Sequence, residues 1–158
     1  MRSITLNLYR FEELPDAAKD AARAWWRETI DFDGTDEKHS IDKFCEHFGV
    51  RITNWSVSAH CPIEYKHDAS NENFRGLKLR DFKHDHMPTG YYLDCDLWQT
   101  FYVSFKSTGD ARRAFDDALD AGFRGWRDDM EYRLTDAAVD EDLDLNGFEF
   151  YEDGSKAA

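Results

Sequence analysis

Cysteine is scarce: Cys45, Cys61 and Cys95 are the only three, an odd number with no CxxC spacing. A disulfide framework or a zinc ribbon needs more of them, closer together. The three therefore read as reduced thiols, with Cys45 packed in the core. Proline is equally scarce, at Pro15, Pro62 and Pro88, and no repeat, low-complexity run or Pro/Gly/Ser-rich tract marks a linker. No apolar run reaches the about 18 residues of a membrane span. Glu12 and Glu13 stand where a signal peptide would need its apolar stretch, so the expected compartment is the cytoplasm. The patterns GxSxG, HExxH and the glycine-rich phosphate loop are absent too, which removes the main motif-based routes to hydrolase or nucleotide chemistry. Basic charge is also short, with 20 Lys+Arg against 33 Asp+Glu for a net of −13. Such a surface repels nucleic acid and anionic membranes and favours basic protein partners. Neither direct nucleic-acid binding nor membrane contact is expected.

What is present is aromatic. Twelve Phe, seven Tyr and five Trp in 158 residues exclude a disordered composition and supply a core for one ordinary domain. ITLNLY alternates, with Ile4, Leu6 and Leu8 on one face, and predicts a half-buried strand. A helix is expected over 16–29, with Pro15 in its first turn and an apolar stripe of Leu14, Ala18, Ala21, Ala22 and Trp25. A second, over 36–48 with Thr35 as its cap, carries Ile41, Phe44, Cys45 and Phe48 and ends at Gly49. VRITNWSVSA reads as a strand whose phase changes, which requires a bulge near residues 53 and 54. IEY and LKL suggest short strands in a polar middle section. GYYLDCDLWQTFYVSF predicts one or two strands, with Leu97, Thr100, Tyr102 and Val103 half-buried.

Ser107 or Thr108 is the expected cap of a long helix reaching about residue 134. Its stripe is Ala111, Phe115, Ala118, Leu119, Phe123, Trp126 and Met130, and Gly122 and Gly125 mark a close contact or a break. Thr135 caps a last helix with Ala138, Val139 and Leu143 inward, ended at Asn146 and Gly147, before a short FEFY strand. The order predicts an α+β fold, helices on one face of a mainly antiparallel sheet. It forms a single domain over residues 1–154, leaving 155–158 as a C-terminal remnant.

Three chemical signals compete. Asp140, Asp142 and Asp144 alternate like the start of a calcium loop, but the glycine position holds Leu145 and the bidentate glutamate position holds Tyr151. His84-Asp85-His86, with His60-Cys61, His67-Asp68 and Cys95-Asp96 elsewhere in the middle section, is the best case for a metal-dependent enzyme in the region 60–95. It lacks a third ligand at a recognised spacing, so no metal, cofactor or catalytic residue is assigned. Charge is the stronger signal. From Asp110 to Asp153 there are 15 acids and five arginines, a net of −10, whereas Lys66 to Lys83 carries +2. On the two C-terminal helices the acids fill positions that the apolar stripes leave free. The predicted protein-binding face is Asp116, Asp117, Asp120, Asp128, Asp129, Glu131, Asp140, Glu141, Asp142 and Asp144. A row of this kind can imitate the phosphate charge of DNA, about one per 1.7 Å of axis.

LYRFEELPDAAKDAARAWWRE, DKFCEHFGVRITNWSV and EYRLTDAAVDEDLDLNGFEFYEDG resemble, in order and over about half the chain, a family of small acidic phage and prophage proteins. These are often labelled antitoxins of a toxin–antitoxin stability system. Pro15 stands where that pattern has a Ser-type cap. The resemblance implies a phage-borne accessory protein; the acidic face adds the expectation that it binds and inhibits a basic host protein, such as a CRISPR effector, a defence nuclease or a toxin. The resemblance carries no catalytic residue across.

Overall fold

The computed structural model describes residues 2–158. They form β1 (Tyr9–Arg10), α1 (Asp16–Thr29), α2 (Thr35–His47), β2 (Ile52–Ser56), β3 (Glu64–His67), α3 (Thr100–Thr108), α4 (Ala111–Arg133), α5 (Asp136–Asn146) and β4 (Glu149–Phe150). A π-helical turn, Cys95–Gln99, leads into α3, and short 3-10 turns stand at Phe11–Glu13, Asn71–Phe74 and Leu79–Asp81. Two compact units result: residues 2–32 with Glu131–Ala158, and Asp33–Met130. Among the described residues no helix is long and apolar enough to cross a membrane.

In the first unit α1 begins where Pro15 supplies an extended cap and Asp16 an acid in the first turn, both suited to a helix start. Ala18 and Ala22 of α1, with Leu14 and Phe11 just before the helix, pack against Val139 and Leu143 of α5 and against Phe150. Trp25 meets Phe148 and Phe150 edge-on, at 5.3 and 5.9 Å between ring centres. β1 and β4 pair antiparallel, Tyr9 with Phe150 and Arg10 with Glu149. Residues 155–158, expected to lie outside the domain, are part of this unit. Lys156 bridges to Phe150, Ala157 donates to the Glu149 carbonyl, and Ala157 is buried. The approach runs through Gly154, at φ +84°, where a Cβ would lie 2.0 Å from the Ala18 carbonyl oxygen. Only glycine fits there.

The second unit is organised around Phe44 of α2. Its ring stacks on Phe115 of α4 at 5.5 Å and touches Phe48, Trp98 and Phe101. Phe44, Trp98, Phe101 and Phe115 are each at most 2% exposed, and burying one such side chain stabilises by about 1.5–3 kcal/mol. The whole predicted α4 stripe, from Ala111 to Met130, is buried. β2 and β3 lay one face on α4, with Tyr65 stacked on Phe123 at 4.3 Å and Trp55 against Trp126. Their register shifts between Ile52 and Asn54, where the bulge is expected.

The sheet is the main correction. Two two-stranded antiparallel ladders replace the mainly antiparallel sheet, and helices make the bulk of the fold. Of ITLNLY only Tyr9 is in a strand, and Ile4, Leu6 and Leu8 are exposed. The β-prone stretch 90–105 is helical from Leu93 onward: Leu93, Leu97, Phe101 and Phe105 are all buried at a spacing of four, so helical packing overrides strand propensity. Within it Leu97 is buried completely and Val103 is 56% exposed, rather than both half-buried. LKL ends in a 3-10 turn. Gly34, not Thr35, is the N-cap of α2. α4 starts at Ala111 because α3 closes at Gly109, φ +65°, and the Asp110 carboxylate caps the Arg113 amide.

Candidate functional site

α5 carries five carboxylates and no cation. Its orientation is fixed from inside the first unit. Thr135 caps the start, its hydroxyl accepting from the Ala138 amide, and Gly147 closes the end in the left-handed region. Ala138, Val139 and Leu143 are buried. The Arg23 guanidinium donates to both oxygens of Asp140, at 2.6 and 2.8 Å, and those bonds hold its pKa above the ordinary value. Trp26 Nε1 donates to Asp142 at 3.1 Å. Arg27 donates to Asp136, which lowers the carboxyl below its ordinary range. These contacts turn Glu141, Asp144 and Leu145 to solvent, with Leu145 78% exposed.

The predicted face therefore divides by role. Asp140 and Asp142 are partly buried anchors to α1, while Glu141 and Asp144 are exposed. Asp144 lies in the C-terminal turn of α5, where a carboxylate opposes the helix dipole at a cost of about 0.3–1 kcal/mol. α4 is different. It interleaves six acids with five arginines, so its surface is of mixed sign. Asp116 pairs with Arg112 and lies 3.5 Å from His67, Asp117 accepts from the Ser104 hydroxyl, and Asp120 accepts from the Tyr65 hydroxyl. Asp128 is exposed beside Arg127; Asp129 and Glu131 are partly buried. The negative excess of the C-terminal third sits on α5 and on Glu149, Glu152 and Asp153 after it, rather than evenly on two helices.

The histidine-rich middle separates in space. The His84 ring lies against Tyr102 at 5.8 Å, and the His86 ring against Trp98 at 4.7 Å. His67 packs edge-on to Phe115, and the Cys95 thiol points at the Met87 sulfur at 3.5 Å. Among the described residues no three His, Cys, Asp or Glu side chains gather closely enough to hold a metal ion. A cavity of about 260 Å³ in the second unit is lined by His47, Asp81, Phe82, Lys83, His86 and Trp98. Desolvation, with the neighbouring His86, lowers the His47 pKa. The spacing of these residues along the chain gave no signal of this cavity. The roles of Arg23 and Trp26 were equally hidden, because their partners lie over 100 residues away.

No family model, no curated protein and no solved structure matches this chain.

Proposed function

We propose that the chain is a non-enzymatic binding protein that inhibits a basic partner by occupying its cationic surface with the acids of α5 and the segment after it. The observation that carries the reading is α5 itself: five carboxylates, no cation, and Asp144 in its C-terminal turn set against the helix dipole. A helix shaped by stability alone would place lysine or arginine there. Two of those acids are tied down by Arg23 and Trp26, which fixes the direction of the others. Leu145, exposed between Asp144 and the helix end, offers an apolar anchor amid the charge. A nucleic-acid-binding groove is the complementary surface, and competition with nucleic acid is the mechanism that follows. The resemblance to small phage proteins supports a bacterial target of that kind: a CRISPR effector, a defence nuclease or a toxin.

The test is capture of partners from bacterial lysate, with and without an active CRISPR or restriction system, by the wild-type chain and by Glu141→Lys/Asp144→Lys. Capture that is lost in the double variant, by added duplex DNA and with rising salt supports the reading. Capture indifferent to all three sinks it. Asp140 and Asp142 are poor choices for this purpose, since reversing them breaks anchors of the fold.

A further inference from the structure

Residues 3–8 alternate like a strand in sequence but belong to no strand of the structure. Ile4, Leu6 and Leu8 alternate with Thr5 and Asn7, and the three apolar side chains are 84%, 64% and 46% exposed. Among the described residues no backbone hydrogen bond joins residues 3–8 to a neighbour. The reason is local. The β1–β4 ladder, continued from Tyr9–Phe150, would bring Tyr151 opposite Leu8 and Asp153 opposite Leu6. The chain turns away there instead: the Tyr151 amide donates to the Ser155 carbonyl and the Gly154 amide to the Tyr151 carbonyl, both at 2.9 Å. A groove of about 390 Å³ remains beside Leu6 and Tyr9, walled by Tyr151, Glu152 and Asp153.

We propose that residues 4–8 are an edge strand that takes up an extended segment of the partner protein, one in which apolar and basic side chains alternate. Exposed edges with free backbone donors and acceptors are templates for strand addition. The period-two face of Ile4, Leu6 and Leu8 selects apolar side chains on one side of the incoming strand. Glu152 and Asp153, both exposed, select cations in the groove. Charge decides against a second copy of this chain. The unit containing the edge carries 15 acids and seven basic residues, so self-pairing brings two negative surfaces together. Antiparallel self-pairing about Leu6 would also set Arg2 opposite Arg10. The inference rests on the basic-partner reading above and adds where the partner's backbone lies.

The experiment uses the full chain with an end-capped eight-residue peptide of alternating lysine and valine, and a glutamate–valine peptide as control. Affinity is read by fluorescence anisotropy, the site by hydrogen exchange, and self-association by sedimentation. The expected result is binding of the lysine peptide at least about ten-fold tighter than the control, with slowed exchange at residues 4–8. Leu6→Pro and Leu6→Asp lower that affinity about ten-fold with an unchanged circular dichroism spectrum, because this segment lies outside the core. Lack of binding by either peptide, or protection at α5 in place of residues 4–8, overturns the edge strand while leaving α5-dependent capture of a target to stand. Equal binding of the two peptides at residues 4–8 overturns the basic partner. Dimerisation that protects residues 4–8 without peptide overturns the proposal in favour of a second copy.

Discussion

Arg23 grips Asp140 with two nitrogens on two oxygens, Nε to Oδ1 at 2.6 Å and Nη2 to Oδ2 at 2.8 Å, across 117 residues of sequence. Planar two-point pairing of this kind is stronger and more directional than a single exposed ion pair. It ties α1 to α5. We expect Asp140→Ala to destabilise the protein by about 1–3 kcal/mol, whereas Glu141→Ala, one residue on and exposed, changes stability by less than about 0.5 kcal/mol. Urea unfolding followed by circular dichroism distinguishes them, and equal losses would remove the anchor role.

Asp96 gives a pH prediction of unusual sign. Burial, with the charge of Asp128 nearby, raises its carboxyl above the ordinary value. The folded state then binds this proton more readily than the unfolded state, and the ionised group costs stability at neutral pH. That cost is fully present above the raised pKa and disappears as pH falls through it to the unfolded value. Asp96→Asn should therefore stabilise at pH 7, with the gain shrinking toward pH 4. A gain that is constant between those two pH values would rule out titration of Asp96 as its cause.

Gly122 should not tolerate a methyl group. A Cβ there would lie 2.4 Å from a methyl carbon of Leu97, itself fully buried. In an exposed helix Gly→Ala gains about 1 kcal/mol; here overpacking reverses the sign, at a cost of about 1–3 kcal/mol. Leu97→Ala opens space at that contact, so the Gly122→Ala penalty should fall in its background. A double-mutant cycle measured by thermal unfolding checks the coupling, and additive effects would place the strain elsewhere.

The thiols should divide into two classes. Burial pushes the Cys45 thiol up to about 12, while Cys61 and Cys95 are exposed. Two thiols should react with an aromatic disulfide reagent in the native protein at pH 8, and the third only on unfolding. Fast reaction of all three in the folded chain would mean that α2 opens readily.

The legible parts of the fold were those where one periodicity ran unopposed. The bounds of α1 came directly from its stripe, the stripe of α4 is buried throughout, and α5 was framed by Thr135 and Gly147. The β-bulge followed from a change of phase. The misread stretch 90–105 held both signals. Its aromatic and β-branched residues suggested strands, yet Leu93, Leu97, Phe101 and Phe105 already lay four apart. The core formed by Phe44, Phe48 and Phe82 favours the helical reading. Residues 4–8 failed for another reason: alternation marks a strand's faces but cannot supply the neighbour it pairs with. At the candidate site the charge was visible in sequence. Which carboxylates point outward was not, because that depends on Arg23 and Trp26 in a distant segment.

The first unit is made from the two ends of the chain, and the second lies wholly between them. During synthesis all of Asp33–Met130 emerges before α5 and β4, so the Phe44-centred core has every one of its residues in hand early. The first unit must wait. Until α5 emerges, Ala18 and Ala22 lack Val139 and Leu143, and until Glu149 and Phe150 follow, β1 has no strand to join. Its assembly follows the emergence of the whole second unit, and the acidic helix takes its place only after Asp33–Met130 has been made.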